Sequence, residues 1–170
     1  MLAVVHAIAA RLDAAGTPWR LAGSAAALVR GARVRPGDVD IEVAGPDADR
    51  TARALGLPPP AHAEGGGWSS LRSAGAINGV AIDLSADLRV TGPGGTLHAD
   101  DAPVDTVTGT GVRGGICLIP MGEALARAIV AGSDERRAKA LAALPADAGE
   151  RAGALAYAES RVAAAARAAR

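Results

Sequence analysis

Leu21-Ala22-Gly23-Ser24 and Gly37-Asp38-Val39-Asp40-Ile41-Glu42 are the two stretches that decide how this chain is read. Trp19 to Ala22 has the make-up of a strand that runs through Gly23-Ser24 into a short helix, Ala25 to Arg30. The acidic stretch reads as a second strand. Side chains alternate faces along a strand, so Asp38 and Asp40 project to one side while Val39 and Ile41 enter the core. Acidic residues are depleted in strands, and a solvated face usually mixes in Thr, Lys or Arg. Here Asp38, Asp40 and Glu42 make one side uniformly acidic. Like charges this close repel unless a cation lies between them. A third acid, Asp83, stands inside the apolar run Val80-Ala81-Ile82-Asp83-Leu84. Three carboxylates facing a glycine-led helix start suit two magnesium ions and a triphosphate.

The rest of the chain bounds what such a site can belong to. Its 170 residues suffice for one core, with or without a helical appendage. Hydrophobic residues make up 49%, yet aromatics are 2% and Phe is absent, so the core is built from Ala, Val, Leu and Ile. Net charge is zero, which removes any global electrostatic case for nucleic acid or an anionic membrane. The single Cys117 excludes an intramolecular disulfide and, in an apolar run, reads as an inert core thiol. No apolar run approaches the roughly 18 residues that span a bilayer, and the N-terminus lacks the pattern of a signal peptide. A cytoplasmic location is the expectation.

In chain order, Val5, Ile8 and Leu12 give Met1 to Ala15 a helical period, ended by Gly16 and Pro18. His6 on this helix reads as a surface or packing residue. Asp47 to Leu55 reads as a helix, and Ala61 to Gly67 as a glycine-rich loop. Trp68 to Ser73 reads as a strand, and Asn78-Gly79 is a strong hairpin signal before the Asp83 strand. Leu88 to Thr91 extends that strand up to the break at Gly92-Pro93-Gly94-Gly95. Thr96 to Gly111 is strand-like in composition, and Ile116 to Ile119 is a short strand stopped by Pro120. Helices follow over Met121 to Ala131, Asp134 to Leu144 and Glu150 to Arg170, the last anchored by Leu155, Tyr157 and Val162. The expected fold is α/β (α+β): a small mixed β-sheet flanked by helices in residues 1–120, then a C-terminal helical segment in 121–170.

Each candidate has a plain counterpart. Ser24 is a preferred N-cap and Gly23 permits a turn, so Gly-Ser alone says little. Asp83 alone is as readily a surface residue as a ligand. His98-Ala99-Asp100-Asp101 reads as a polar loop rather than a metal cluster. Gly111 to Gly115 lacks the strand-turn-helix context of a dinucleotide site. Trp68 reads as a lid on the core more readily than as a platform for a base. The combination of Gly23-Ser24 with three acids is the specific signal.

That combination resembles the signature of the DNA polymerase β-like nucleotidyltransferase superfamily, over roughly residues 15 to 90. The Pro120-led helix beginning Met121-Gly122-Glu123 is similar to the helix that follows the catalytic domain in small bacterial members, of antibiotic-modifying and toxin–antitoxin types. Asp134-Glu135-Arg136-Arg137-Ala138-Lys139 does not reproduce the Lys-Asp pair those relatives carry. The resemblance implies that Asp38 and Asp40 bind two Mg2+ ions, with Asp83 joining at the catalytic one. It implies contacts from Gly23 and Ser24 to the phosphates of an NTP, ATP being the first choice, with Arg35 or Arg33 as an additional phosphate partner. Glu42 is then a neighbour rather than a ligand. The implied function is transfer of a nucleoside monophosphate to an acceptor hydroxyl of a small molecule or protein. The alternative is a non-catalytic nucleotide-binding or antitoxin-like module. A homodimer or a toxin–antitoxin partner is the implied assembly, and few aromatics with zero net charge argue against nucleic acid.

Overall fold

A computed structural model describes residues 1–108 and 115–169. The Gly-x-x-Gly-Gly run at 111–115 therefore lies outside the described residues except for its last glycine.

The first helix, α1 (Leu2–Ala14), buries Val4, Val5, Ile8, Ala9 and Leu12 along one stripe, as the apolar period predicts. Strand β1 (Arg20–Leu21) is two residues long, and α2 (Gly23–Val29) begins at Gly23 itself rather than at Ala25. Next comes β2 (Asp38–Val43), whose Val39 and Ile41 are both fully buried. A 3-10 turn at Gly45–Asp47 leads into α3 (Ala48–Leu55). The segment expected as a loop at 61–67 is instead the strand β3 (Ala61–Gly65), paired antiparallel with β4 (Trp68–Ile77). Gly66 and Gly67, with φ of +56° and +79°, supply the two positive-φ residues of a tight hairpin. Pairing with β4 outweighs the weak strand propensity of Ala-His-Ala-Glu-Gly. Asn78-Gly79 turns β4 into β5 (Val80–Gly92), as expected. The remaining elements are β6 (Gly95–His98), β7 (Asp105–Val107), β8 (Ile116–Leu118), α4 (Glu123–Val130), α5 (Asp134–Ala142) and α6 (Ala148–Ala168).

Among the described residues, eight strands form one mixed sheet in the order β3-β4-β5-β2-β1-β8-β7, with β6 paired to β5. Strand β2 lies parallel to β5 and antiparallel to β1, so the two acid-bearing strands are central neighbours. Helices α1, α2 and α3 share a first core with Val39, Ile41, Ile82 and Leu84. The opposite face carries a second core, in which Val90 and Leu97 meet Leu125, Val130, Ala158 and Ala165 of α4 and α6. One strand serves both cores because β5 carries an extra residue relative to β4 near Asp87, whose φ is +49°. A one-residue bulge reverses which face the alternate side chains meet, and Asp tolerates that backbone better than a branched residue.

Two packing expectations are corrected. Cys117 sits between fully buried Ile116 and Leu118, so strand alternation turns its thiol to the other face, half-buried and 4.0 Å from Thr106 Oγ1. On α6 the fully buried residues are Ala154, Ala158 and Ala165 rather than the larger anchors. Small side chains let the helix approach closely enough for Gly95 and Gly122 to face the Ala165 and Ala154 carbonyls with no room for a Cβ. Leu155 and Val162 pack at the margin of that contact.

Candidate functional site

The parallel register of β2 and β5 sets Asp40 directly opposite Asp83, with Asp38 opposite Ala81 one step back. Each of the three acids offers a carboxylate oxygen that lies within 4.8 Å of the others. Among the described residues this is the one group of His, Cys, Asp or Glu side chains close enough together to hold an ion. The three acids named by the sequence thus converge on one face. His98, Asp100 and Asp101 do not form a second such group, and Asp100 instead pairs with Arg20 at 3.4 Å.

Gly23 closes the site from the side of β1. Its φ is +61°, and a Cβ built on it would overlap Asp40 Oδ2 and stand 3.0 Å from Asp40 Cγ. The Ala22 N–H donates to the Asp40 carbonyl at 2.9 Å, which locks the start of α2 onto β2. Glycine is therefore required here twice, for backbone conformation and for the space of the carboxylate. Ser24 is the second residue of α2, behind an Ala22 N-cap whose side chain offers no capping bond. Arg33 and Arg35 are exposed on the segment between α2 and β2 and form no ion pair with the three carboxylates.

One residue of the site was not foreseen. Arg72 on β4 donates from Nη2 to Asp83 Oδ1 at 2.6 Å. Its cross-strand partner is Ser85, one pleat along from Asp83, so the contact is a diagonal one across neighbouring strands. No sequence spacing encodes that register, and the only signal was that Arg72 is the lone charge in the strand Trp68–Ile77.

Burial first, then the charges of Asp38, Asp83 and Glu42, push the Asp40 carboxyl up from 3.8 to about 6, against a downward pull from Arg72. Raised native affinity for a proton means that Asp40 opposes folding above about pH 6, an effect relieved as pH falls toward 4. A divalent cation held by these carboxylates would compete with that proton. Mn2+ affinity followed by calorimetry is therefore expected to climb between pH 5 and about 7 and then level off, whereas a site set by exposed acids alone would be flat over that range.

Glu42 continues the acidic row but belongs to a different structure. It is 4% exposed and accepts from Arg20 Nε at 3.1 Å and from Arg127 Nη2 at 3.0 Å. Arg127 also donates to Glu123 at 2.9 Å, and Glu123, fully buried, accepts from Tyr157 at 2.8 Å and Arg161 at 3.0 Å. The network binds the acid-bearing strand to α4 and α6. Burial disfavours the Arg127 cation, but Glu42 and Glu123 outweigh it and hold it above its ordinary value. Burial likewise opposes the Glu123 anion, and Arg127, Arg161 and Tyr157 more than compensate.

Trp68 stands at the other end of the sheet, packed against the second core with the Arg136 guanidinium 4.3 Å from its ring centroid. The cleft of about 430 Å³ beside it, lined by Gly67, Trp68 and Thr91, begins eight residues along β5 from Asp83. That is roughly 26 Å at strand spacing, too far to serve the carboxylates.

No family model matches the chain, and no curated protein matches it in sequence. Solved structures do match its architecture. A candidate nucleotidyltransferase of Thermotoga maritima superposes with a TM-score of 0.62 at 18% identity, covering 94% of this chain and 88% of the other. The solution structure of the antibiotic-resistance factor ANT(2'')-Ia gives 0.54 at 15% identity over 96% and 93% of the two chains. ANT(2'')-Ia crystallised with adenylyl-2''-tobramycin gives 0.52 at 16% over 94% and 97%. This chain shares the overall fold of these nucleotidyltransferase structures, and Asp38, Asp40 and Asp83 lie on two central strands of that fold.

Proposed function

We propose that this protein transfers a nucleoside monophosphate from an NTP, ATP in the first instance, to an acceptor hydroxyl in a Mg2+-dependent reaction. The observation that carries the reading is the convergence of Asp38, Asp40 and Asp83 within 4.8 Å, on a fold shared with nucleotidyltransferases. ANT(2'')-Ia bound to adenylyl-2''-tobramycin supports an adenylyl group and a small hydroxylated acceptor as the type of partner.

The donor set suits hard divalent cations. It is all carboxylate, with no His or Cys, and its mutual repulsion is offset by a single arginine. In this reading Asp38 and Asp40 would hold two ions and Asp83 would complete one of them. When bound, such ions would offset the charge that builds on the attacking and departing oxygens. Gly23 and Ser24, on the β1 side, would receive the phosphates, and the exposed Arg35 is the candidate to meet their outer oxygens. Asp83, on the β4 side, would face the acceptor. The acceptor oxygen bonds to the α-phosphorus, the bond to the bridging oxygen breaks, and pyrophosphate leaves with the hydroxyl proton passing to base or solvent. The two sides of β2 thus divide the labour: phosphates toward α2, acceptor toward β4.

The test is Asp38→Asn and Asp83→Asn, assayed for pyrophosphate release with a panel of NTPs and hydroxylated acceptors. Transfer is expected to fall by about a hundred- to a thousandfold, since removal of one well-placed electrostatic group costs that order. Asp38→Asn should also raise the melting temperature of the cation-free protein, because it removes one of the charges that oppose ionised Asp40. Transfer unchanged in both variants would overturn the reading. Nucleotide binding with no turnover on any acceptor would favour the non-catalytic module.

A further inference from the structure

We propose that Arg72 is the resident counter-ion of the three-carboxylate site and the residue that positions Asp83, holding that carboxylate by an ion pair across β4 and β5 that a divalent cation must share. The inference rests on the metal-dependent reading of the site given above.

The register makes the contact a choice rather than an accident of proximity. Arg72 is paired across the strands with Ser85, yet its guanidinium leans one pleat along to meet Asp83. On the same side of β4, Ala74 lies beside Asp83 and Ala76 beside Ala81, both exposed and neither able to hydrogen-bond a carboxylate through its side chain. Arg72 is therefore the one group of β4 that can steady Asp83. With half of the Arg72 side chain exposed and about a third of that of Asp83, the pair by itself would contribute little to stability. Its weight comes from the setting. One fixed positive charge faces three acids, and the contact uses a single nitrogen and a single oxygen, Nη2 to Oδ1.

Two consequences follow with opposite signs. Without a cation, Arg72 relieves the repulsion among the carboxylates and keeps Asp83 turned into the site. With a cation, the same positive charge opposes binding. A surface arginine with no role would do neither, and an arginine needed only for folding would weaken cation binding when removed.

The experiment measures Mn2+ binding, in the absence of nucleotide, by the electron paramagnetic resonance of free Mn2+. Wild type is compared with Arg72→Ala, Arg72→Gln, Arg72→Lys and Asp38→Asn, and each variant is melted with and without Mn2+. Removing the arginine is expected to tighten Mn2+ binding roughly three- to tenfold at low salt, with the gain shrinking as salt rises. Arg72→Lys should stay close to wild type, since it keeps the charge. Cation-free Arg72→Ala and Arg72→Gln should melt below wild type, and saturating Mn2+ should close that gap. Unchanged or weakened Mn2+ affinity in both neutral variants, alongside clear weakening in Asp38→Asn, would overturn the role of Arg72 and leave the metal site standing. Unchanged affinity in Asp38→Asn would overturn the metal site, and with it this inference.

Discussion

Replacing Arg127 by methionine is expected to destabilise the protein by about 3–5 kcal/mol, the range for removing one partner of a buried ion pair. The side chain is 4% exposed and stands between two carboxylates, Glu42 and Glu123, that are 4% and 0% exposed. Methionine replaces the stem but leaves both anions in the interior short of their shared cation. Arg20 still reaches Glu42, and Arg161 and Tyr157 still reach Glu123, which places the loss within that range rather than beyond it. Folded domains are stable by only about 5–15 kcal/mol, so a loss of this size is a large fraction of the whole. Urea unfolding monitored by circular dichroism measures it. The exposed pair Glu135–Lys139, at 2.8 Å, is the control, since solvent screens it and Lys139→Ala should leave the urea midpoint almost unmoved. Equal, small losses in the two variants would show that the network is not a structural tie between β2 and the C-terminal helices.

Gly23→Ala should separate function from stability. A left-handed backbone at a residue with a Cβ costs about 1–2 kcal/mol, so a drop of about 2–8 °C in melting temperature is expected. The new methyl group also overlaps Asp40 Oδ2, so either the start of α2 or the carboxylate must move. A displacement near 1 Å at a reacting centre costs on the order of a hundredfold, and transfer is expected to fall at least that far with weaker Mn2+ binding. Gly16→Ala isolates the backbone part: its φ is +60° but the space around it is open. It should show a similar melting shift with transfer intact. Matched activity in the two variants would contradict the requirement for space at Gly23.

Much of this site could be read from residue order because its logic is local. Asp38 and Asp40 share a face through strand alternation, and Gly23-Ser24 marks the turn from β1 into α2. Alternation also accounts for Asp83, since Ile82 and Leu84 define the buried side. The Asn78-Gly79 turn and the helical period of α1 are local in the same way. The family resemblance drew on these features, and the fold agrees with it. Where local propensity was weak, the reading failed: β3 exists because β4 offers it an edge to pair with, and the buried face of α6 is alanine because close approach mattered more than side-chain size.

The tertiary structure alone decided the charges. Glu42 looked like a continuation of the acidic row, and what removes it from the site is a cation 85 residues away in sequence, Arg127 on α4. Glu123 and Arg127, spaced one helical turn apart, have the pattern of an ordinary exposed pair until α6 covers them. Arg72 reaches Asp83 only through the register of β4 on β5, which no spacing along the chain encodes. Sequence determines which face a side chain takes when the period is local. Which charges meet on that face depends on how distant segments pair, because ion pairs are set by distance and burial rather than by order along the chain.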